Sequence, residues 1–158
     1  MTDLAPGGKA PEITLPRDGG TSVSLSDFAG QKVVLYFYPK DDTPGCTTEA
    51  IGFTEMATVF AAAGAVVLGV SKDPVKKHDK FVAKYELGIA LLSDEDGDVC
   101  ERYGTWGEKS MYGKTYMGIE RATFLIGADG TISHIWRKVK VPGHVNAVLA
   151  AVKETTAK

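Results

Sequence analysis

Two short runs set the terms for what this chain can fold into. Lys32–Tyr38 (KVVLYFY) and Ala65–Val70 (AVVLGV) hold almost nothing but β-branched, aromatic and other apolar residues. A strand with one wet face alternates polar and apolar side chains, so these runs predict strands buried on both faces. Between them, Ala50, Phe53, Ala57 and Phe60 recur at helical spacing within Cys46–Ala63, and Gly64 is a natural stop. Asp73-Pro74 opens a second helix that runs to about Leu87, followed by a short strand at Ile89–Leu92. Strands alternating with helices imply right-handed crossovers and a central sheet covered by helices on both faces.

The flanks extend this unit. Glu12–Leu25 places two apolar pieces around Arg17-Asp18-Gly19-Gly20 and reads as an N-terminal β-hairpin. Ser26-Asp27-Phe28 resembles a short capped turn ended by Gly30. Asp98–Tyr103 allows one or two helical turns. Ala122–Ile126 and Thr131–Lys138 form strands joined by Gly127–Gly130, and Asn146–Lys153 closes the chain with a helix. A parallel pair followed by an antiparallel hairpin makes the sheet mixed. The expected fold is α/β and thioredoxin-like. No repeat or linker interrupts the 158 residues, so a single domain over 1–158 is expected.

Composition narrows the function. Lys and Arg number 18 against 20 Asp and Glu, a net charge of −2, which argues against a nucleic-acid partner. No apolar run approaches the roughly 18 residues needed to span a bilayer. Met1–Pro11 lacks the pattern of a secretory signal, so a cytoplasmic location is expected. The two cysteines, Cys46 and Cys100, are too few for a disulfide scaffold. His78, His134 and His144 form no metal-ligand pattern, and no dinucleotide or phosphate-loop fingerprint occurs, so neither metal nor cofactor is expected. The thiols are then either inert core sulfur or a reactive site.

The segment Tyr38–Glu49 (YPKDDTPGCTTE) decides between them. It leaves a buried strand and enters a helix, with Thr43 as N-cap, Pro44 as first helical residue and Gly45 permitting close approach. Cys46 falls in the first turn, where unpaired N–H groups and the helix dipole favour an anion. Ionisation alone is insufficient. A thiol at the reference pKa is only about 3% ionised at pH 7. Even a roughly 30-fold rise in thiolate is offset about tenfold by lost nucleophilicity. The site must also stabilise the transition state, which calls for the Thr43 hydroxyl and for a cation from elsewhere.

Pro39-x-x-x-Thr43-x-x-Cys46 resembles the peroxiredoxin active-site pattern, and Pro39–Glu49 with Gly52-Phe53 is similar to the Q-type branch, that of the bacterioferritin comigratory protein. The likeness extends through Gly-Lys-Ala-Pro at 8–11, Gly-Val-Ser-x-Asp at 69–73 and Glu-Arg-Ala-Thr-Phe-Leu-Ile at 120–126. It implies that Cys46 is the peroxidatic cysteine, that Thr43 binds the peroxide and that Pro39 shields the sulfur. It further implies that Arg121 holds the thiolate and polarises the peroxide, and that Glu49 anchors Arg121. The implied activity is a thioredoxin-dependent type of peroxidase acting on hydrogen peroxide and organic hydroperoxides. Thioredoxin, glutaredoxin or a small thiol would recycle it, and a monomer is expected.

One position departs from the pattern. Many Q-type members carry a resolving cysteine five residues after the first, where this chain has Ile51, and Pro74–Leu87 contains none. Cys100 is left, either as a resolving thiol or as inert packing, the latter favoured by its neighbours Val99 and Tyr103. Asp41 and Asp42 read as solvated loop acids, and His78, within Lys76-Lys77-His78-Asp79-Lys80, as exposed. Gly104–Gly107 and Met111–Lys114 read as a polar, aromatic-bearing loop, which the resemblance implies lies near the pocket rim and which equally reads as a surface loop with Trp106 tucked inward. Two other functions compete. A disulfide reductase wants a C-x-x-C pair that Cys46-Thr47-Thr48-Glu49 lacks. A redox sensor or interaction domain would use the same oxidation without turnover.

Overall fold

The computed structural model describes residues 4–154; Met1–Asp3, part of the stretch read for a secretory signal, lie outside the described residues. The N-terminal hairpin pairs β1 (Thr14–Pro16) with β2 (Ser22–Ser24) in antiparallel register, Leu15 opposite Val23. A 3-10 turn at Leu25–Phe28 follows, with the Asp27 carboxylate accepting from the Ser24 N–H. The central sheet contains β3 (Lys32–Phe37), β4 (Ala65–Ser71), β5 (Ala90–Ser93), β8 (Ala122–Ile126) and β9 (Ile132–Trp136), in the order β5-β4-β3-β8-β9. β3, β4 and β5 run parallel; β8 and β9 are antiparallel additions, so the sheet is mixed, as expected.

Every residue of β3 is buried, because the sheet is covered twice. Val33, Leu35 and Phe37 join one apolar cluster, and Val34 and Tyr36 join the other. That alternation is the two-residue period of a pleated strand, and it assigns each cluster to one face. On one face lie α1 (Pro44–Glu55), α2 (Ala57–Ala62), α3 (Val75–Tyr85) and α5 (His144–Glu154), supplying Phe53, Phe60, Phe81 and Val148. The opposite face is covered by the N-terminal hairpin and by the short α4 (Val99–Arg102), through Leu15, Val23, Val99, Cys100 and Tyr103. Truncating a fully buried ring such as Phe53 to alanine in a core of this kind costs about 3–5 kcal/mol.

Three details differ from the sequence reading. The run expected as one helix over 46–63 is divided at Met56, whose N–H bonds both Gly52 and Thr54 carbonyls as the turn tightens. Pro74 is extended and precedes α3 rather than opening it. The supposed loop before Arg121 is a β-ribbon, β6 (Trp106–Met111) paired with β7 (Lys114–Ile119). Its two-residue turn, Tyr112-Gly113, has φ of 53° and 77°, the doubly positive conformation that tight hairpins require. Among the described residues no helix is long and apolar enough to cross a membrane.

Candidate active site

The chain leaves β3 at Tyr38 and enters α1 through the loop Pro39–Thr43. Thr43 is extended, with φ −101° and ψ 156°, and Pro44 takes the first helical turn. Cys46 follows, 1% exposed, beneath the free amides of that turn. Its cluster is the one that holds Tyr36, Tyr38 and Phe53, on the four-helix face of the sheet.

β8 delivers a cation to the same place. The β3–β8 register sets Phe37 opposite Ala122, so Arg121 stands beside the exit of β3. Along β8, Ala122, Phe124 and Ile126 belong to the far cluster and Leu125 to the near one, so the odd-numbered positions face Cys46. Arg121 spans two groups. Its Nη2 lies 3.5 Å from Cys46 Sγ, and its Nη1 donates to Glu49 Oε1 at 2.7 Å. Gly45 makes room: a Cβ there would meet Arg121 Nη2 at 3.1 Å. Seventy-five residues of sequence separate this cation from the sulfur it faces.

Charge in the pocket is finely divided. Burial opposes the Arg121 charge, but the Cys46 sulfur and then Glu49 outweigh it and raise the arginine's pKa further. Burial also pushes the Glu49 carboxyl up to about 7, against the pull of Arg121. Glu49 is fully buried, and among the described residues its Oε2 has no hydrogen-bond partner, so the guanidinium alone of them supports its ionised form. The Tyr36 hydroxyl is likewise buried without a partner among the described residues, its ring stacked on Phe53 at 4.7 Å. Burial and then Arg121 lower His144 to about 4, leaving a neutral ring 2.8 Å from Thr123 Oγ1. No cation other than Arg121 bonds Cys46 or Glu49 among the described residues.

Thr43 occupies the N-cap position, yet its side chain does not cap the helix. Its hydroxyl donates to the Lys40 carbonyl at 2.9 Å, which leaves the oxygen lone pairs free to accept. Pro39 is half-buried at the exit of β3. Between α1 and the approach to α5 runs a groove of about 690 Å³, lined by Pro44, Gly45, Thr48, Met56, Val141 and Val145.

Two sequence readings of this loop are corrected. Asp41 is buried, not solvated: its Oδ1 accepts from the Tyr38 hydroxyl at 2.5 Å and its Oδ2 lies 2.6 Å from His78 Nδ1. His78 is fully buried, not exposed, because it shares the inward face of α3 with Phe81 while its charged neighbours point outward. Asp42 matches the expectation of exposure, but it is held by Lys84 and Tyr85 at 2.9 and 2.8 Å.

The structure does not bring the second sulfur to the first. Cys100 lies on α4, fully buried in the cluster on the opposite face of the sheet. Its amide donates to Asp94 Oδ2 at 2.8 Å, and burial, reinforced by Asp94, pushes its thiol well above the ordinary range. Both cysteines are free. Ile51 sits half-buried against the cluster that contains Cys46. Among the described residues no group of three or more His, Cys, Asp or Glu is gathered to hold a metal.

Known proteins similar to this chain are readily found. The model of the AhpC/TSA family matches residues 6–135. The peroxiredoxin Bcp of Escherichia coli is 48% identical over 154 residues, 98% of this chain and 99% of its own. A structure of the Xanthomonas campestris bacterioferritin comigratory protein, from work on its alkyl peroxide reduction activity, superposes with a TM-score of 0.85 at 49% identity, covering 90% of each chain. A cysteine-to-serine mutant of Xylella fastidiosa PrxQ gives 0.91 at 42% identity over 98% of each chain.

Proposed function

The chain belongs to the AhpC/TSA family as a Q-type peroxiredoxin, a thiol peroxidase, and from that premise we propose that Cys46 is its peroxidatic cysteine, served by Arg121, Thr43, Pro39 and Glu49. The Cys46 sulfur, as thiolate, attacks the terminal oxygen of a hydroperoxide. The O–O bond breaks, Cys46 becomes a sulfenic acid, and the departing alkoxide or hydroxide takes up a proton as alcohol or water. The observation that carries this reading is the guanidinium shared between Cys46 and Glu49, 3.5 and 2.7 Å from its two terminal nitrogens. A fixed, permanently charged fork at that position is suited to the negative charge that develops on the breaking bond.

Thr43 contributes an acceptor. With its proton committed to Lys40, the hydroxyl oxygen can receive a hydrogen bond from the peroxide O–H and turn the other oxygen atom toward Arg121. Pro39, half-buried beside the loop, limits water at the sulfur. Glu49 acts through Arg121, fixing the fork by one tooth so that the other faces the sulfur. The groove beside α1 offers apolar surface to the organic part of a larger hydroperoxide.

Recycling requires an external thiol in this reading. Cys46 and Cys100 occupy separate clusters with the sheet between them, well outside disulfide geometry unless the fold opens. Thioredoxin, glutaredoxin or a small thiol in a reducing cytoplasm supplies the electrons, and the single-domain chain works as a monomer. Mixing reduced protein with one equivalent of peroxide should consume one thiol and yield a sulfenic acid at Cys46. A C46S variant that consumes peroxide as fast as the wild type would refute the assignment. Sustained turnover with added thiol separates the enzyme from a sensor, which would react once and stop.

A further inference from the structure

The loop that carries Thr43 is fastened to α3 by a buried polar network that the peroxidase reading leaves unused. Asp41 is held from both ends. Its backbone N–H donates to Asp73 Oδ2 at 2.8 Å, while its carboxylate meets the Tyr38 hydroxyl and His78 Nδ1. Asp73 is itself fixed, accepting from Ser71 Oγ at 2.7 Å and, through its carbonyl, from Ser93 Oγ at 2.7 Å. The other ring nitrogen of His78, Nε2, lies 2.9 Å from the Leu92 carbonyl on β5.

Donors and acceptors around the ring point to its protonation. A backbone carbonyl only accepts, so Nε2 of His78 must carry a hydrogen. As a carboxylate, Asp41 already receives the Tyr38 O–H and can only accept again, so against it Nδ1 carries one too. An imidazole bonded to two acceptors is the imidazolium form, and the Asp41–His78 contact is a buried ion pair. Tyr38 stays a donor, since burial and then Asp41 raise its pKa well above the usual phenol range. Burial opposes the His78 charge, but the hydrogen bond and charge of Asp41, the Leu92 carbonyl and Asp73 together raise its pKa. These are the polar groups that face the ring: Asp41 from the loop, Leu92 from β5 and Asp73 from the β4–α3 turn.

We propose that His78 and Asp41 are positioning residues for peroxide reduction: a doubly protonated His78 on α3 clamps Asp41, and so sets Lys40 and Thr43, the loop atoms that orient the peroxide. The chain of contacts is continuous. Asp41 follows Lys40, whose carbonyl directs the Thr43 hydroxyl, and Asp42, at φ 59°, is tied to α3 through Lys84 and Tyr85. Loss of the second ring proton sets a lone pair against an acceptor, and the clamp slackens. The sign is fixed by the raised pKa: the contribution is fully present below the ordinary histidine value and is lost as pH climbs through the higher folded one.

This inference rests on the peroxidase reading, and the test separates the two. The second-order rate of Cys46 oxidation by hydrogen peroxide is measured from about pH 6 to 10 for wild type, D41A and D41N, beside nitrogen-15 spectra of the imidazoles. Wild type should show His78 with both nitrogens protonated at about pH 6, and a fall in rate at higher pH that tracks its deprotonation. D41A should be slowed on the order of tenfold, the scale of a small displacement of a reacting group. D41N is the discriminating variant: its amide can donate to a neutral ring while its oxygen still receives the Tyr38 O–H, so the rate should stay near wild type and the alkaline fall should vanish. A neutral His78 at about pH 6, or a folded D41A as fast as wild type, would overturn the clamp and leave the peroxidase standing. A wild type that consumes no peroxide would remove both.

Discussion

Gly45 and Arg121 are in contact so close that a methyl group at residue 45 would lie 3.1 Å from the guanidinium Nη2. The same nitrogen faces the Cys46 sulfur, so the space left by a missing side chain is where the fork sits. Substituting Gly45→Ala should displace the guanidinium by a few tenths of an ångström, and should favour the helix itself. The expected result is a peroxide rate lowered roughly three- to tenfold with unchanged or slightly higher thermal stability, read by stopped-flow fluorescence and melting curves.

Arg121 should not be replaceable by lysine. A single ammonium cannot reach the sulfur and Glu49 together as two terminal nitrogens do. Arg121→Met should lower kcat/KM for hydrogen peroxide by about 100-fold or more, the usual scale for losing one transition-state donor. Arg121→Lys should recover only a part of that loss. Steady-state assays at several peroxide concentrations check both values.

Glu49 should leave a mark on stability as well as on rate. Its folded pKa of about 7 lies above the ordinary 4.5, so the folded state binds the extra proton between those values. Stability should therefore decline as pH rises through that window, by on the order of 3 kcal/mol across it. Glu49→Gln, which is neutral throughout, should flatten that slope. Urea unfolding at pH 5, 6 and 7 (roughly spanning the window) compares the two proteins.

Cys100 should be dispensable for the first chemical step. Cys100→Ala should leave the single-turnover peroxide rate within about twofold of wild type, while removing sulfur from a packed core costs some stability. Peptide mass mapping after peroxide treatment should show no Cys46–Cys100 bridge. In the absence of added thiol it should show Cys46 advancing to sulfinic acid. A bridge in the wild type would contradict the separation of the two clusters.

What the sequence made legible was whatever depends on short-range pattern. Lys32–Tyr38 and Ala65–Val70 announced doubly covered strands through an unbroken apolar run, and the structure covers both. Thr43, Pro44 and Cys46 announced a helix start by residue type alone. Arg121 was different: no spacing links it to a sulfur 75 residues away, and only family resemblance singled it out. His78 was misread because its neighbours Lys76, Lys77 and Lys80 are charged, whereas its own side chain turns inward to an acceptor on a distant loop. A clue did exist, since His78 and Phe81 are three apart on one helical face. The β6–β7 ribbon was hidden by its polar strands, although Tyr112-Gly113 is a turn signal.

A five-stranded barrier between two sulfurs also bears on the economy of the cell that makes this protein. In the proposed cycle Cys46 is reset by a second molecule rather than by Cys100, so throughput follows the supply of that molecule. Under a burst of oxidant, the abundance of the donor then decides how many copies survive to work again and how many are retired for good.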